Sequence, residues 1–119
     1  MKIEIIEFRN IKIAEVVSDN ILINETQDAL DIMANCNYQD AGSIILYKHN
    51  LIPDFFDLKS GIAGEILQKF SNYRVRLAII GDFSNYTSKS LRDFIYESNK
   101  AGRILFVSSK EDAINRLTI

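Results

Sequence analysis

The sequence holds one cysteine (Cys36), one proline (Pro53), one histidine (His49) and no tryptophan. A lone cysteine excludes an intrachain disulfide and a cysteine-built zinc site within one chain. Basic residues are not in excess: 14 Lys and Arg stand against 16 Asp and Glu, for a net charge of −2. Nucleic-acid binding draws on counterion release at a basic surface, so that class of partner is not expected. Long apolar runs are missing too. The longest, such as Leu77-Ala78-Ile79-Ile80, fall far short of the roughly 20 residues that carry a helix across a bilayer. The opening Met1-Lys2-Ile3-Glu4 lacks the apolar core of a signal peptide. With the sparing use of cysteine, this sets the expectation of a cytoplasmic protein without membrane contact.

The 119 residues are 47% apolar and 25% charged, the size and balance of one globular domain able to bury its own core. Lys2 to Phe8 and Ile11 to Val17 are rich in Ile and Val. Arg9-Asn10 between them has the length of a tight hairpin turn, and Asn tolerates the positive φ such a turn needs. Asn24 with Gln27 predicts a helix cap and its reciprocal partner. Ala29, Leu30, Met33 and Ala34 then follow helical spacing to about Asn37.

Three short apolar runs, Ser43 to Tyr47, Val75 to Ile80 and Ile104 to Val107, have the character of strands buried on both faces. The segments between and after them carry helical stripes: Ile62, Ile66, Leu67 and Phe70; Leu91, Phe94 and Ile95, with Thr87, Ser88 or Ser90 as cap; and Ala113, Ile114 and Leu117 after a capping box at Ser108 to Glu111. The predicted order is β-β-α-β-α-β-α-β-α. It describes an α/β domain with a mostly parallel mixed sheet, an N-terminal hairpin and about four helices. The pattern does not decide which faces the later helices take.

That order resembles the STAS (anti-sigma-factor antagonist) domains. Phe56-Asp57-Leu58-Lys59-Ser60-Gly61-Ile62 is similar to the Asp-Ser-Ser-Gly-Leu loop that opens their second helix. In STAS antagonists the residue after the aspartate is a serine phosphorylated by a partner kinase. Here Leu58 or Lys59 occupies that place, depending on the end from which the loop is counted, so the phosphoacceptor is missing unless Ser60 substitutes for it. At closer range, Leu22 to Asn35, Phe55 to Asp82 and Thr87 to Asn99 resemble a family of short bacterial proteins defined only as a domain of unknown function.

Ligands of open parallel sheets sit beyond the carboxyl ends of the strands. Three loops share that edge: Lys48 to Ser60, Asp82 to Ser84, and Ser108-Ser109. They could gather His49, Asp57, Lys59, Ser60 and Asp82. His49 could serve as a base beside Ser60 and an aspartate, or be an ordinary loop histidine; no Gly-x-Ser-x-Gly elbow surrounds any serine. Asp57 and Asp82 could hold a metal or simply cap turns, and the latter is expected. Ser60-Gly61 opens a helix but lacks the spacing of a phosphate loop. Arg92 and Tyr96 lie at i, i+4 and suit a protein interface.

The leading expectation is therefore a non-catalytic regulatory or protein-binding module. It recognises its partner through Asp57, Lys59, Ser60, Gly61 and the following helix, extended by Asp82, Arg92 and Tyr96. No cofactor or metal is expected. The alternative is a small-molecule protein, for an anion or nucleotide, or a minor enzyme, using the strand-end pocket with His49 and Asp82. A third reading is a homodimer paired through Ile3, Ile5 and Ile6 of the hairpin.

Overall fold

The computed structural model describes residues 1–119. Its strands are β1 (Lys2–Phe8), β2 (Ile11–Val17), β3 (Ser43–Tyr47), β4 (Arg76–Ile80) and β5 (Ile104–Val107). Its helices are α1 (Thr26–Tyr38), α2 (Ile62–Asn72), α3 (Lys89–Ala101) and α4 (Lys110–Leu117). The α/β architecture with an N-terminal hairpin and four helices is thus the one expected. β1 and β2 pair antiparallel from Lys2↔Val17 to Phe8↔Ile11. Both turn residues are left-handed, Arg9 at φ 53° and Asn10 at φ 62°, as a turn matched to the strands' twist requires. Only Asn10 announces that in the sequence.

The sheet runs in the order β1-β2-β3-β4-β5, with every pairing after the hairpin parallel. Each crossover therefore steps to the next strand in the same direction. Crossovers of one hand, stepping one way, must lay their helices on the same face. The packing agrees. Ile32 and Met33 of α1, Ile66 and Phe70 of α2 and Leu91 of α3 share one core with Ala14, Ile44, Leu46, Leu77, Ile79 and Phe106. Helix α4 follows the last strand and has no crossover to make. It takes the opposite face, where Ala113 and Leu117 meet Ile13, Ile45, Ala78 and Leu105. This settles what the apolar pattern leaves open, and it explains why the central strands read as continuous apolar runs: alternate residues feed two cores.

Two predicted caps are shifted by one residue. The partner that reaches back at α1 is Asp28, whose Oδ2 accepts the N–H groups of Asn24 (2.9 Å) and Glu25 (3.2 Å). At α4 the cap is Ser109, with Oγ accepting Asp112 N–H at 3.1 Å. Among the three candidates at α3 it is Ser88, accepting Leu91 N–H. Cys36 is fully buried in the main core, and burial pushes its thiol up to about 11, so it packs as a small apolar side chain.

Two side chains fasten helices to the sheet, one over a long distance in sequence and one locally. Glu15 of β2 points to the α4 face and is 4% exposed. Its Oε2 accepts the Tyr47 hydroxyl at 2.7 Å, and Lys110 Nζ at the start of α4 lies 2.8 Å from Oε1. Burial works to raise the carboxyl, but Lys110 and the Tyr47 hydroxyl outweigh it and hold Glu15 below the usual carboxylate range. Asn99 of α3 meets the outer edge of β5: Phe106 N–H donates to Asn99 Oδ1 at 2.7 Å, and Asn99 Nδ2 donates to the Phe106 carbonyl at 3.1 Å. No helix is long and apolar enough to cross a membrane.

Candidate functional site

β3 and β4 end side by side at the pair Tyr47↔Ile80, and the chain leaves both strands on the same edge of the sheet. After β3 it turns at once into a 3-10 turn, Lys48–Asn50. Asn50 is fully buried, which for a carboxamide requires every polar atom to be used. Oδ1 accepts Tyr47 N–H at 3.0 Å, and Nδ2 donates to the carbonyls of Ser18 and Asn20, each at 2.9 Å. One side chain thus ties the exit of β2 to the exit of β3. Main-chain bonds continue the seam, from Leu22 N–H and Ile23 N–H to the Asn50 carbonyl and from Ile52 N–H to the Ile23 carbonyl. Two further 3-10 turns, Pro53–Phe56 and Leu58–Ser60, lead into α2. Phe55 and Phe56 are buried and cross edge-to-face at 5.0 Å.

These segments line an open groove of about 730 Å³ at the carboxyl ends of β3 and β4. Ile21, Leu51, Pro53, Phe56, Ile80 and Tyr86 supply its apolar lining, and Lys48, His49, Asp57 and Asp82 its charged and polar groups. Lys48 is held by several contacts. Its Nζ donates to the Asp82 carbonyl at 2.8 Å and lies 4.7 Å from the Tyr86 ring centroid, 5.7 Å from Phe83 and 6.0 Å from Phe56, close enough for cation–π attraction. The rings themselves are stacked, Phe56 on Tyr86 at 5.5 Å and 19°.

The stem of Lys48 crosses Gly81 so closely that a Cβ built there would stand 2.6 Å from Lys48 Cβ and 3.1 Å from Cδ. Gly81→Ala is accordingly expected to cost about 1–3 kcal/mol by overpacking and to dislodge the lysine. A chemical melt read beside the Lys48 side-chain NMR signals checks both, and an unchanged Lys48 environment would refute the contact.

The two aspartates are capping residues. Asp82 Oδ1 accepts both the hydroxyl and the N–H of Ser84. Those hydrogen bonds, with a smaller contribution from the charge of Lys48, hold its carboxyl below the usual range. Asp57 Oδ1 accepts Lys59 N–H at 3.2 Å. Ser60 is committed locally as well: Oγ lies 2.8 Å from the carbonyls of Asp54 and Asp57 and accepts Ile62 N–H at 3.2 Å. Gly61 adopts φ 78°, a left-handed turn into α2 that suits glycine.

His49 turns away from Ser60. Its Nε2 lies 2.8 Å from the Ser18 carbonyl, and its ring stacks on Tyr47. A histidine–serine–aspartate relay is not assembled, and no three His, Cys, Asp or Glu side chains converge as a metal site would require. The structure therefore gathers His49, Asp57 and Asp82 at one groove. Lys59, Ser60 and Gly61 lie on its flank. Arg92 and Tyr96 stand exposed on α3, outside the groove lining.

A family model described as Domain of unknown function (DUF4180) matches residues 8–117. The chain belongs to this family. The DUF4180 match begins at the last residue of β1 and takes in all the residues of the groove. No curated protein and no solved structure shows a significant match to the chain.

The residues that build the site most directly in this DUF4180 domain were not singled out by motif. Lys48, Gly81, Asn50 and Tyr86 belong to no local pattern. Position is the only signal that could have found the first two. Lys48 follows β3, Gly81 follows β4, and neighbouring parallel strands bring their first loop residues into contact.

Proposed function

We propose that the domain is a non-catalytic binding module whose strand-end groove receives a small, largely apolar ligand. The observation that carries this reading is the groove itself: about 730 Å³, mostly apolar in lining, with a few fixed polar groups. Those are the size and character of a small-molecule site, and the strand-end position is where open α/β sheets place their ligands. Its polar side chains are engaged in caps and loop ties, with no nucleophile held against a base. The order of elements, which resembles that of STAS antagonists, supports a regulatory use of such binding.

Titration of the isotope-labelled domain with a panel of bicyclic aromatic fragments tests this. Shifts are expected to gather at Tyr47, Lys48, Phe56, Gly81 and Tyr86. A panel that leaves these residues unmoved overturns the reading.

A second reading rests on Tyr96, 65% exposed and one helical turn from Arg92. A large exposed aromatic beside an arginine is the composition of a protein-binding hot spot; in this reading a protein partner is recognised by the Asp57–Ser60 loop, with the α3 face as a further contact. Fragment shifts confined to α3 and the Asp57 to Gly61 loop would favour it.

A further inference from the structure

We infer that the groove selects apolar monocarboxylates, seating the ligand's carboxylate on Lys48; this rests on the groove being the binding site. The lysine has three N–H donors, and one is spent, on the Asp82 carbonyl. No carboxylate lies within ion-pair distance of Nζ, since the ion pairs of the molecule all involve other residues. Neither acid that shares the groove pairs with it directly: Asp82 is turned onto Ser84 and feels the lysine's charge only at longer range, and Asp57 is turned onto Lys59 N–H. A positive charge with no carboxylate in ion-pair contact therefore stands beside the apolar lining.

That charge is also held in place. Gly81 leaves the stem its one close passage, and Tyr86 and the Asp82 carbonyl fix the ammonium. An exposed lysine must surrender rotamer freedom when it takes up an anion. Lys48 has already done so, and preorganisation of this kind favours affinity. A carboxylate on the two remaining donors forms charge-assisted hydrogen bonds next to an apolar surface that covers the rest of the ligand.

The charge count narrows the ligand further. Lys48 brings one positive charge, while Asp57 and Asp82 bring two negative ones to the same lining. A second negative charge on the ligand gains little from the lysine and is repelled by the aspartates, so a carboxylate is preferred over a phosphate monoester dianion.

The test is calorimetric titration of the full chain at low salt with 2-naphthylacetate, 2-naphthylacetamide and 2-naphthyl phosphate, with binding located by NMR. Wild type is expected to bind the acetate roughly tenfold or more tighter than the amide, and tighter than the phosphate. In Lys48→Met, which keeps an unbranched stem to pack on Gly81, the acetate and amide should bind alike, with the amide as in wild type.

Equal binding of acetate and amide by wild type overturns the carboxylate assignment while the groove stands as a binding site. So does a preference that survives in Lys48→Met. Tighter binding of the phosphate overturns selection for a monoanion. If none of the three probes shifts the groove residues, the groove reading falls and this inference with it. An unchanged melt and amide spectrum outside the groove show that Lys48→Met is folded, and Lys48→Gln provides a second neutral variant.

Discussion

Phe55→Ala is expected to lower the unfolding free energy by about 3–5 kcal/mol, the range for emptying a buried phenylalanine site. Typical domains have about 5–15 kcal/mol in total. Phe55 is 1% exposed and sits in the core formed by the three crossover helices, although it comes from a single 3-10 turn. Its neighbours are fixed by the sheet on one side and α2 on the other, so the space it vacates cannot close fully. The loss also reaches the groove, because Phe55 anchors the turn that presents Pro53 and Phe56. Urea unfolding of wild type and variant measures the effect, expected as a lower midpoint with an unchanged slope. Binding of the naphthyl probes should weaken in parallel. A loss below about 1 kcal/mol would contradict the packing of this turn.

Asn50 gives the second large effect. Asn50→Ala deletes three hydrogen bonds at a fully buried position and strips the side-chain partner from the Tyr47 N–H and the Asn20 carbonyl, while the Ser18 carbonyl keeps its contact with His49. Each bond contributes about 1 kcal/mol net and each stranded group costs more, so a loss of about 3 kcal/mol is expected.

Asn50→Asp is the sharper experiment. Its carboxylate can still accept Tyr47 N–H, but the oxygen that replaces Nδ2 now faces the carbonyls of Ser18 and Asn20. Burial and those carbonyls raise the folded-state pKa of the new acid above its unfolded value. At pH 7 the folded state must hold an unfavourable anion, so Asn50→Asp is expected to be less stable than Asn50→Ala. As the pH falls through the raised pKa, the acid takes a proton, can donate again, and regains stability relative to Asn50→Ala. Parallel melts at pH 7 and pH 5 decide this. A variant that loses stability on acidification relative to Asn50→Ala would show that this carboxamide is not oriented as described.

The five strands were legible because their apolar runs are bounded by turn residues and polar helices, and the ends of β1, β2, β3 and β5 fall where the pattern puts them. Parallel order follows from strand–helix alternation, and the strand-end rule pointed to the edge that carries the groove. The caps at α1 and α4 were displaced by one residue because residues able to cap stand side by side there, Asn24-Glu25 with Gln27-Asp28 and Ser108-Ser109 with Glu111-Asp112, and spacing alone does not choose among them. What was not legible depends on distance along the chain. Lys48 meets Asp82 34 residues away and Asn50 meets Ser18 32 residues away, and no local pattern encodes such pairs. The polar residues that stood out, Asp57, Ser60 and Asp82, stood out because turns use the same residue types as active sites. The structure places all three in turns.

The carboxamide of Asn99 has a consequence for how copies of this domain could meet. By taking both the N–H and the C=O of Phe106, it stands where the next strand would lie and removes that docking edge. β1, at the other end of the sheet, pairs only with β2 and keeps its outer edge open. Continuous growth needs two complementary open sides on every unit, and here one is stoppered. Strand-to-strand joining of two copies can therefore use only β1 against β1, an arrangement that is complete at two and cannot extend into a filament.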